Sequence, residues 1–251
     1  MIYPEPRFLP CGDLAVSVEL ADEISREANA RVLALEYLIQ QRRVPGITET
    51  LPTYRALLVY YDPAAVSFDA LTVALRALAE EARPEVLPPA RQVELPCCYG
   101  GDLGFELDAA ASKLGLPPDE LSRLHAGADY HVYFVGFTPG LPYMTGSPER
   151  IHIPRLVNPR TKTPAGSVAI GGVQCCIYSV ESPGGFWVLG RTPARLYDPA
   201  ASEPSLLRAG DTVRFRPIER TEFDAISTDV AAGRWRPRIV EVSLPSGERV
   251  G

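Results

Sequence analysis

The chain lacks the charge and the long apolar runs that nucleic-acid and membrane proteins use. Lys and Arg number 25 against 31 Asp and Glu, for a net charge of -6. That sign opposes both phosphate backbones and anionic bilayers. No run of about 18 apolar residues occurs, so no helix is expected to span a membrane. The opening residues 1–13 show no cationic stretch followed by an apolar one, the mark of a secretory signal. These absences predict a cytoplasmic protein that engages neither nucleic acid nor membrane.

Chemical signatures are sparse as well. There is no GxxxxGK[ST] loop, no GxGxxG opening a helix, no GxSxG elbow and no CxxC spacing. The chain alone is therefore expected to bind no nucleotide, cofactor or metal, and nucleophilic chemistry has little support. The three histidines are scattered. His131 shares a strand face with Tyr133 and Val135 and reads equally as core residue or acid/base, and His125 complements a helix C-terminus. Of five cysteines, four form the adjacent pairs Cys97-Cys98 and Cys175-Cys176. Alternation along a strand sends such neighbours to opposite faces, which predicts reduced, structural thiols.

Proline and glycine are abundant instead, 25 and 20 residues, dispersed between apolar runs. This predicts many defined turns rather than a low-complexity linker. Residues 7–20 read as one strand, with Leu14, Val16 and Val18 alternating against polar neighbours. Asp22 would cap a helix with Ile24, Ala28, Val32, Leu35 and Ile39 along one stripe. A strand over 51–61 follows, then a helix capped by Ser67 and carrying Phe68, Leu71, Leu75, Leu78 and Ala82. This β-α-β-α order predicts a small α+β sandwich over residues 1–88, closed by the prolines 84, 88 and 89.

Beyond residue 92 the texture becomes that of a β-barrel, over 89–218. Strands are expected at 93–99, 130–137, 166–171, 174–180, 186–190 and 212–217, with short helices at 105–114 and 117–127. Residues 219–251 form an extension with a helix near 222–232 and an extended run 238–244, and its role stays open. Three features suggest a site. The loop from Gly136 to Met144 exposes Phe137, Tyr143 and Met144 as a pocket wall or docking surface. The run 154–167 presents Arg155 and Arg160 as planar donors for a carboxylate or phosphate, with Lys162 adding a point charge. Glycine-flanked Gln174, Tyr178 and Arg191 supply polar groups that need partners.

These motifs resemble one family. Pro52-Thr53-Tyr54-Arg55, Tyr61-Asp62-Pro63, Gly136-Phe137-Thr138-Pro139-Gly140, Pro164-Ala165-Gly166-Ser167, Ser182-Pro183-Gly184-Gly185 and Gly190-Arg191-Thr192-Pro193 stand in its order. The match runs over about 7–218. The family is that of the 5-oxoprolinase B subunit, also called allophanate hydrolase subunit 1 or the Kip-type kinase inhibitors. The resemblance implies an α+β sandwich followed by a cyclophilin-like β-barrel. It implies a carboxyltransferase-like partner, the C subunit, which with the A subunit opens 5-oxoproline to glutamate using ATP. Carried over position by position, it implies Arg155, Arg160, Gln174, Tyr178 and Arg191 as catalytic candidates. It adds Thr138, Pro139 and Ser167 as pocket candidates, beside Phe137 and Tyr143 of the exposed loop. Two other activities of the family stay open: a non-catalytic regulator docking on a sensor histidine kinase, and the carboxyltransferase subunit of a urea-degrading system. The chain departs from the family at Cys175-Cys176, where small residues are usual, and those thiols are not expected to be catalysts.

Overall fold

The computed structural model of the chain describes residues 1–242. It divides into two compact units, Met1–Pro89 and Ala90–Gly251.

The first unit holds the strands β1 (Ile2–Cys11), β2 (Ala15–Ala21), β3 (Ile47–Pro52) and β4 (Ala56–Tyr61). They form one antiparallel sheet in the order β1-β2-β4-β3. The stretch read as one strand is thus a hairpin. Gly12 adopts φ +63, so the chain reverses there, and Leu14 is left 56% exposed rather than on a strand face. The stretch 51–61 likewise splits into the end of β3 and all of β4. Helix α1 (Arg26–Arg42) starts later than expected: Ser25, not Asp22, caps it by accepting from Ala28 N at 3.1 Å. Asp22 instead takes the N-terminal amine, and Ile24 lies outside the helix. The stripe Ala28, Val32, Leu35 and Ile39 is buried. Helix α2 (Phe68–Glu81) is capped by Ser67 as expected, and its Leu71 and Leu75 join Val16, Val18, Leu57 and Val59 in the core.

The second unit is a closed barrel of seven strands. They are β5 (Ala90–Tyr99), β6 (Asp129–Val135), β7 (Pro142–Thr145), β9 (Ser167–Gly171), β10 (Gln174–Ile177), β12 (Trp187–Arg191) and β13 (Thr212–Pro217). Their order is β12-β9-β10-β7-β6-β13-β5, with β5 returning to β12. A two-stranded ribbon of β8 (Arg160–Thr163) and β11 (Ser182–Gly184) stands apart from it. Helices α3 (Leu107–Leu114) and α4 (Pro118–Ala126) follow β5. Val93, Leu95, Val132, Met144, Val168, Ile170, Leu189 and Val213 fill the interior. Each such side chain contributes about 1.5–3 kcal/mol relative to exposure. Met144, expected at an exposed loop tip, is 0% exposed, because β7 pairs with β6 and β10 and turns it inward.

The described residues after 218 belong to this unit. Helix α5 (Arg220–Ala231) sets Phe223 and Ile226 against Cys98, Leu103 and Ile218. Strand β14 (Arg238–Val242) pairs with Ala90–Glu94 of β5, while β12 takes Cys98 and Tyr99 further along β5. Positions 243–244 of the expected extended run lie outside the described residues. Among the described residues no helix is long and apolar enough to cross a membrane.

Candidate functional site

Strand alternation sorts the barrel residues into an inner set and an outer one. Cys97 and Cys175 join the interior, while Cys98 and Cys176 point outward, and all five cysteines are free. On the outer face Leu141, Ala169, Cys176, Tyr178, Phe186 and Val188 pack together. Between this cluster and the segments around 155–159 and 183–186 lies a cavity of about 180 Å³. Its lining includes the expected Phe137, Tyr143, Arg155 and Tyr178, together with Leu141, Cys176, Pro159 and Phe186.

The polar groups of this cavity are held in place. Arg155 Nη2 donates to Gln174 Oε1 at 2.5 Å, and its guanidinium carbon lies 4.6 Å from the centre of the Phe186 ring. This stacking fixes the plane of the guanidinium and leaves other N–H groups at the rim. Burial pushes the Tyr178 phenol up to about 12, so it stays protonated and able to donate. Burial also raises the Cys176 thiol, which keeps it from being a thiolate. Tyr178 reaches its place only because residue 184 is glycine. A Cβ there would stand 1.9 Å from Tyr178 Oη.

Phe137 is the exposed apolar residue at the mouth, 66% accessible and with φ +69. A left-handed backbone is unfavourable for a bulky residue and is a mark of functional loops. Thr138 and Pro139 do not line the cavity. Ser179 Oγ ties them to the β10 side, donating to Pro139 O at 2.5 Å and lying 3.5 Å from Thr138 Oγ1. Tyr143 stacks on Phe134 at 4.7 Å, half-buried rather than exposed.

Arg160 is engaged elsewhere. It donates to Glu106 Oε1 at 2.5 Å and to Phe186 O at 2.6 Å, while Glu106 Oε2 accepts from Val188 N at 2.7 Å. This clamp ties the ribbon to β12, behind the Phe186 wall, and neither Glu106 nor Phe186 carried a signal in the sequence. Lys162 pairs with Glu181 at 3.3 Å on the surface.

Strand pairing gathers the remaining candidates into a row. Tyr178 N donates to Ser167 O at 2.9 Å, Ser167 is the ladder partner of Arg191, and Arg191 that of Cys98. Directly paired residues point to the same side of a sheet, so these four side chains share the outer face. Ser167 is fully buried, and burial lowers the Arg191 guanidinium below its ordinary value.

The histidines are distributed differently from the expectation. His125, not His131, is the core histidine: it is 0% exposed and meets Tyr99 and Cys175. His131 is half-buried with its ring 4.8 Å from that of Tyr133. Among the described residues no group of three or more His, Cys, Asp or Glu side chains is placed to hold a metal.

Comparison with known proteins places this geometry. Residues 6–207 match the family described as carboxyltransferase domain, subdomain C and D. The B subunit of 5-oxoprolinase from Bacillus subtilis is 35% identical over 224 residues, covering 85% of this chain and 93% of that protein. The crystal structure of TTHA0988 is 37% identical with a TM-score of 0.72, covering 82% of this chain and 40% of that one. The urea amidolyase of K. lactis shares the fold, with a TM-score of 0.79 at 21% identity over 96% of this chain and 17% of its own. The chain thus spans nearly all of the curated relative but less than half the length of these solved chains. With its family match running through both the sandwich and the outer barrel face, the chain belongs to the carboxyltransferase-domain family of subdomains C and D.

Proposed function

We propose that this chain is the B subunit of a cytoplasmic, ATP-dependent 5-oxoprolinase and works with partner A and C subunits to open 5-oxoproline to glutamate. The observation that carries the reading is the 35% identity over 93% of a protein bearing that subunit's name. The outer-face cavity suits the chemistry. Arg155, held by Gln174 and Phe186, is a planar donor for the substrate carboxylate. Tyr178, kept protonated by burial, donates toward a lactam oxygen as negative charge develops on it. Arg160 acts as a positioning residue through the Phe186 wall. The chain carries no phosphate loop, so ATP is consumed by the assembly rather than held here.

The test is ATP-dependent glutamate formation by the co-expressed subunits, with and without this chain. Activity that requires it, and falls in an Arg155→Gln variant that still assembles, supports the reading. Full activity without the chain overturns it. The exposed ring of Phe137 favours one other reading, docking on a sensor histidine kinase. Its mark is inhibition of kinase autophosphorylation by this chain alone, lost in Phe137→Ala.

A further inference from the structure

Three buried side-chain polar atoms have no hydrogen-bond partner among the described residues: Ser167 Oγ, Ser182 Oγ and Arg191 Nε. Buried polar groups are nearly always paired, and each orphan costs about 1–3 kcal/mol. Two of the three belong to directly paired residues, Ser167 of β9 and Arg191 of β12, and so stand side by side on one face. Both carry a proton to donate. Ser167 is 0% exposed, so bulk water does not satisfy its hydroxyl.

Neither atom has an acceptor within hydrogen-bond distance among the described residues. Asp102, whose charge acts on Arg191 through space, is already bonded to Arg220 Nη1 at 2.7 Å. The arm of Arg191 is nonetheless fixed, lying over residue 166. A Cβ there would meet Thr192 O at 2.5 Å and Arg191 Cγ at 3.2 Å, so only glycine leaves the arm this path. The Gly166-Ser167 and Gly190-Arg191 steps therefore build one feature from two distant stretches: a preset hydroxyl and a guanidinium Nε, both buried and without a hydrogen-bond partner.

We propose that the outer barrel face between β9 and β12 is a subsite for a small oxyanion, a carboxylate or phosphate group, held by Ser167 Oγ and Arg191 Nε and distinct from the Tyr178 cavity. Neither residue lines that cavity, although Ser167 O accepts from Tyr178 N. The two sites are thus neighbours on one face. Both residues are site candidates of the family resemblance, but the subsite rests on their missing partners and not on the 5-oxoprolinase reading.

Titration calorimetry on the full chain tests it, with inorganic phosphate, acetate and 5-oxoproline as separate arms. Saturable binding of phosphate alone identifies a phosphate group. Binding of acetate or 5-oxoproline identifies a carboxylate. In either case Ser167→Ala weakens binding at least tenfold, Arg191→Gln removes it and Arg191→Lys restores part. Ser167→Ala also separates ligand binding from architecture. If the hydroxyl waits for a ligand, its removal leaves the ligand-free melting temperature unchanged or higher, because an orphan has gone. Should Arg191→Gln fail to fold, Ser167→Ala decides alone. The proposal is overturned if no arm binds saturably at millimolar concentration, or if Ser167→Ala binds as the wild type does. An assembly that makes no glutamate while the phosphate arm still binds removes the enzyme reading and leaves the subsite.

Discussion

Inside the barrel, His125 Nδ1 lies 2.8 Å from the phenol oxygen of Tyr99. The other ring nitrogen, Nε2, stands 3.4 Å from Cys175 Sγ, and the rings of Tyr130 and Phe215 lie 5.0 and 4.9 Å away. A neutral imidazole has one donor and one acceptor nitrogen, and these two neighbours give each a partner. Among the described residues no carboxylate favours the charged ring, and burial lowers His125 to about 3.

That arrangement fixes the sign of an acid effect. The unfolded chain binds a proton at His125 near pH 6.5, and the folded chain does so only near 3. The histidine's share of stability is therefore complete above 6.5 and is lost as pH falls toward 3. From pH 6.5 to 5 the loss is about 2 kcal/mol. Urea unfolding at both pH values, in wild type and in His125→Gln, reads this as a difference in slope. Equal slopes for the two proteins contradict it.

Glu36 has the opposite sign. Its carboxyl, half-buried on α1 with Thr50 Oγ1 donating to it at 3.0 Å, is raised by burial from 4.5 to about 6. The folded chain thus takes up this proton more readily than the unfolded one, and the ionised carboxylate costs stability above pH 6. A fully buried group with this shift would cost about 2 kcal/mol, and partial solvent access reduces that to about 1. Glu36→Gln keeps an acceptor for Thr50. It is expected to stabilise the protein by about 1 kcal/mol at pH 8 and to be neutral at pH 4.5. A thermal melt at each pH checks this, and a gain of the same size at both values is incompatible with it.

What was legible in the sequence was whatever a local period records. The stripe Leu71, Leu75 and Leu78 with Ser67 before it gave helix α2 directly, and alternation gave β5 and β13. The row Tyr178, Ser167, Arg191 was legible only as a set of separate motifs. Its members come together through ladders between β9, β10 and β12, which no local pattern records. Strand β7 was hidden because Pro142 and Gly140 read as loop. Pro142 stands at the first position of the strand, where proline is tolerated. Glu106 was unreadable for another reason. Its partners Arg160 and Val188 are 54 and 82 residues away.

Arg91 and Asp211 close the start of β5 against the turn before β13. Asp211, 1% exposed, accepts from Arg91 Nε at 2.9 Å, Arg91 Nη2 at 2.6 Å and Arg208 N at 2.9 Å. Removing one member leaves the other charge desolvated, so Asp211→Ala is expected to cost about 3–5 kcal/mol. The double variant Arg91→Met with Asp211→Ala recovers part of this, because the stranded charge is gone. A double-mutant cycle by chemical denaturation measures the coupling. Additive losses show that the pair is not what the single variant breaks.

The two arginines expected to share one task have different surroundings, and their variants are expected to fail in different ways. Arg160, 18% exposed, is bound to Glu106 and to Phe186 O, so Arg160→Ala leaves a part-buried carboxylate unpaired. The expected cost is about 2–3 kcal/mol of stability, with activity falling as the Phe186 wall loosens. Among the described residues Arg155 makes one hydrogen bond, at an exposed contact with Gln174, and its stacking on Phe186 is at the rim. Arg155→Gln is therefore expected to unfold within about 0.5 kcal/mol of wild type. If the proposed function holds, it is expected to raise the KM of the assembly for 5-oxoproline about tenfold, as loss of a charged carboxylate contact does. Melting curves of the free chain and initial rates of the assembly, measured on the same preparations, separate the two. A stable Arg160→Ala with an unstable Arg155→Gln would reverse these assignments, making Arg160 the ligand-facing cation and Arg155 the structural one.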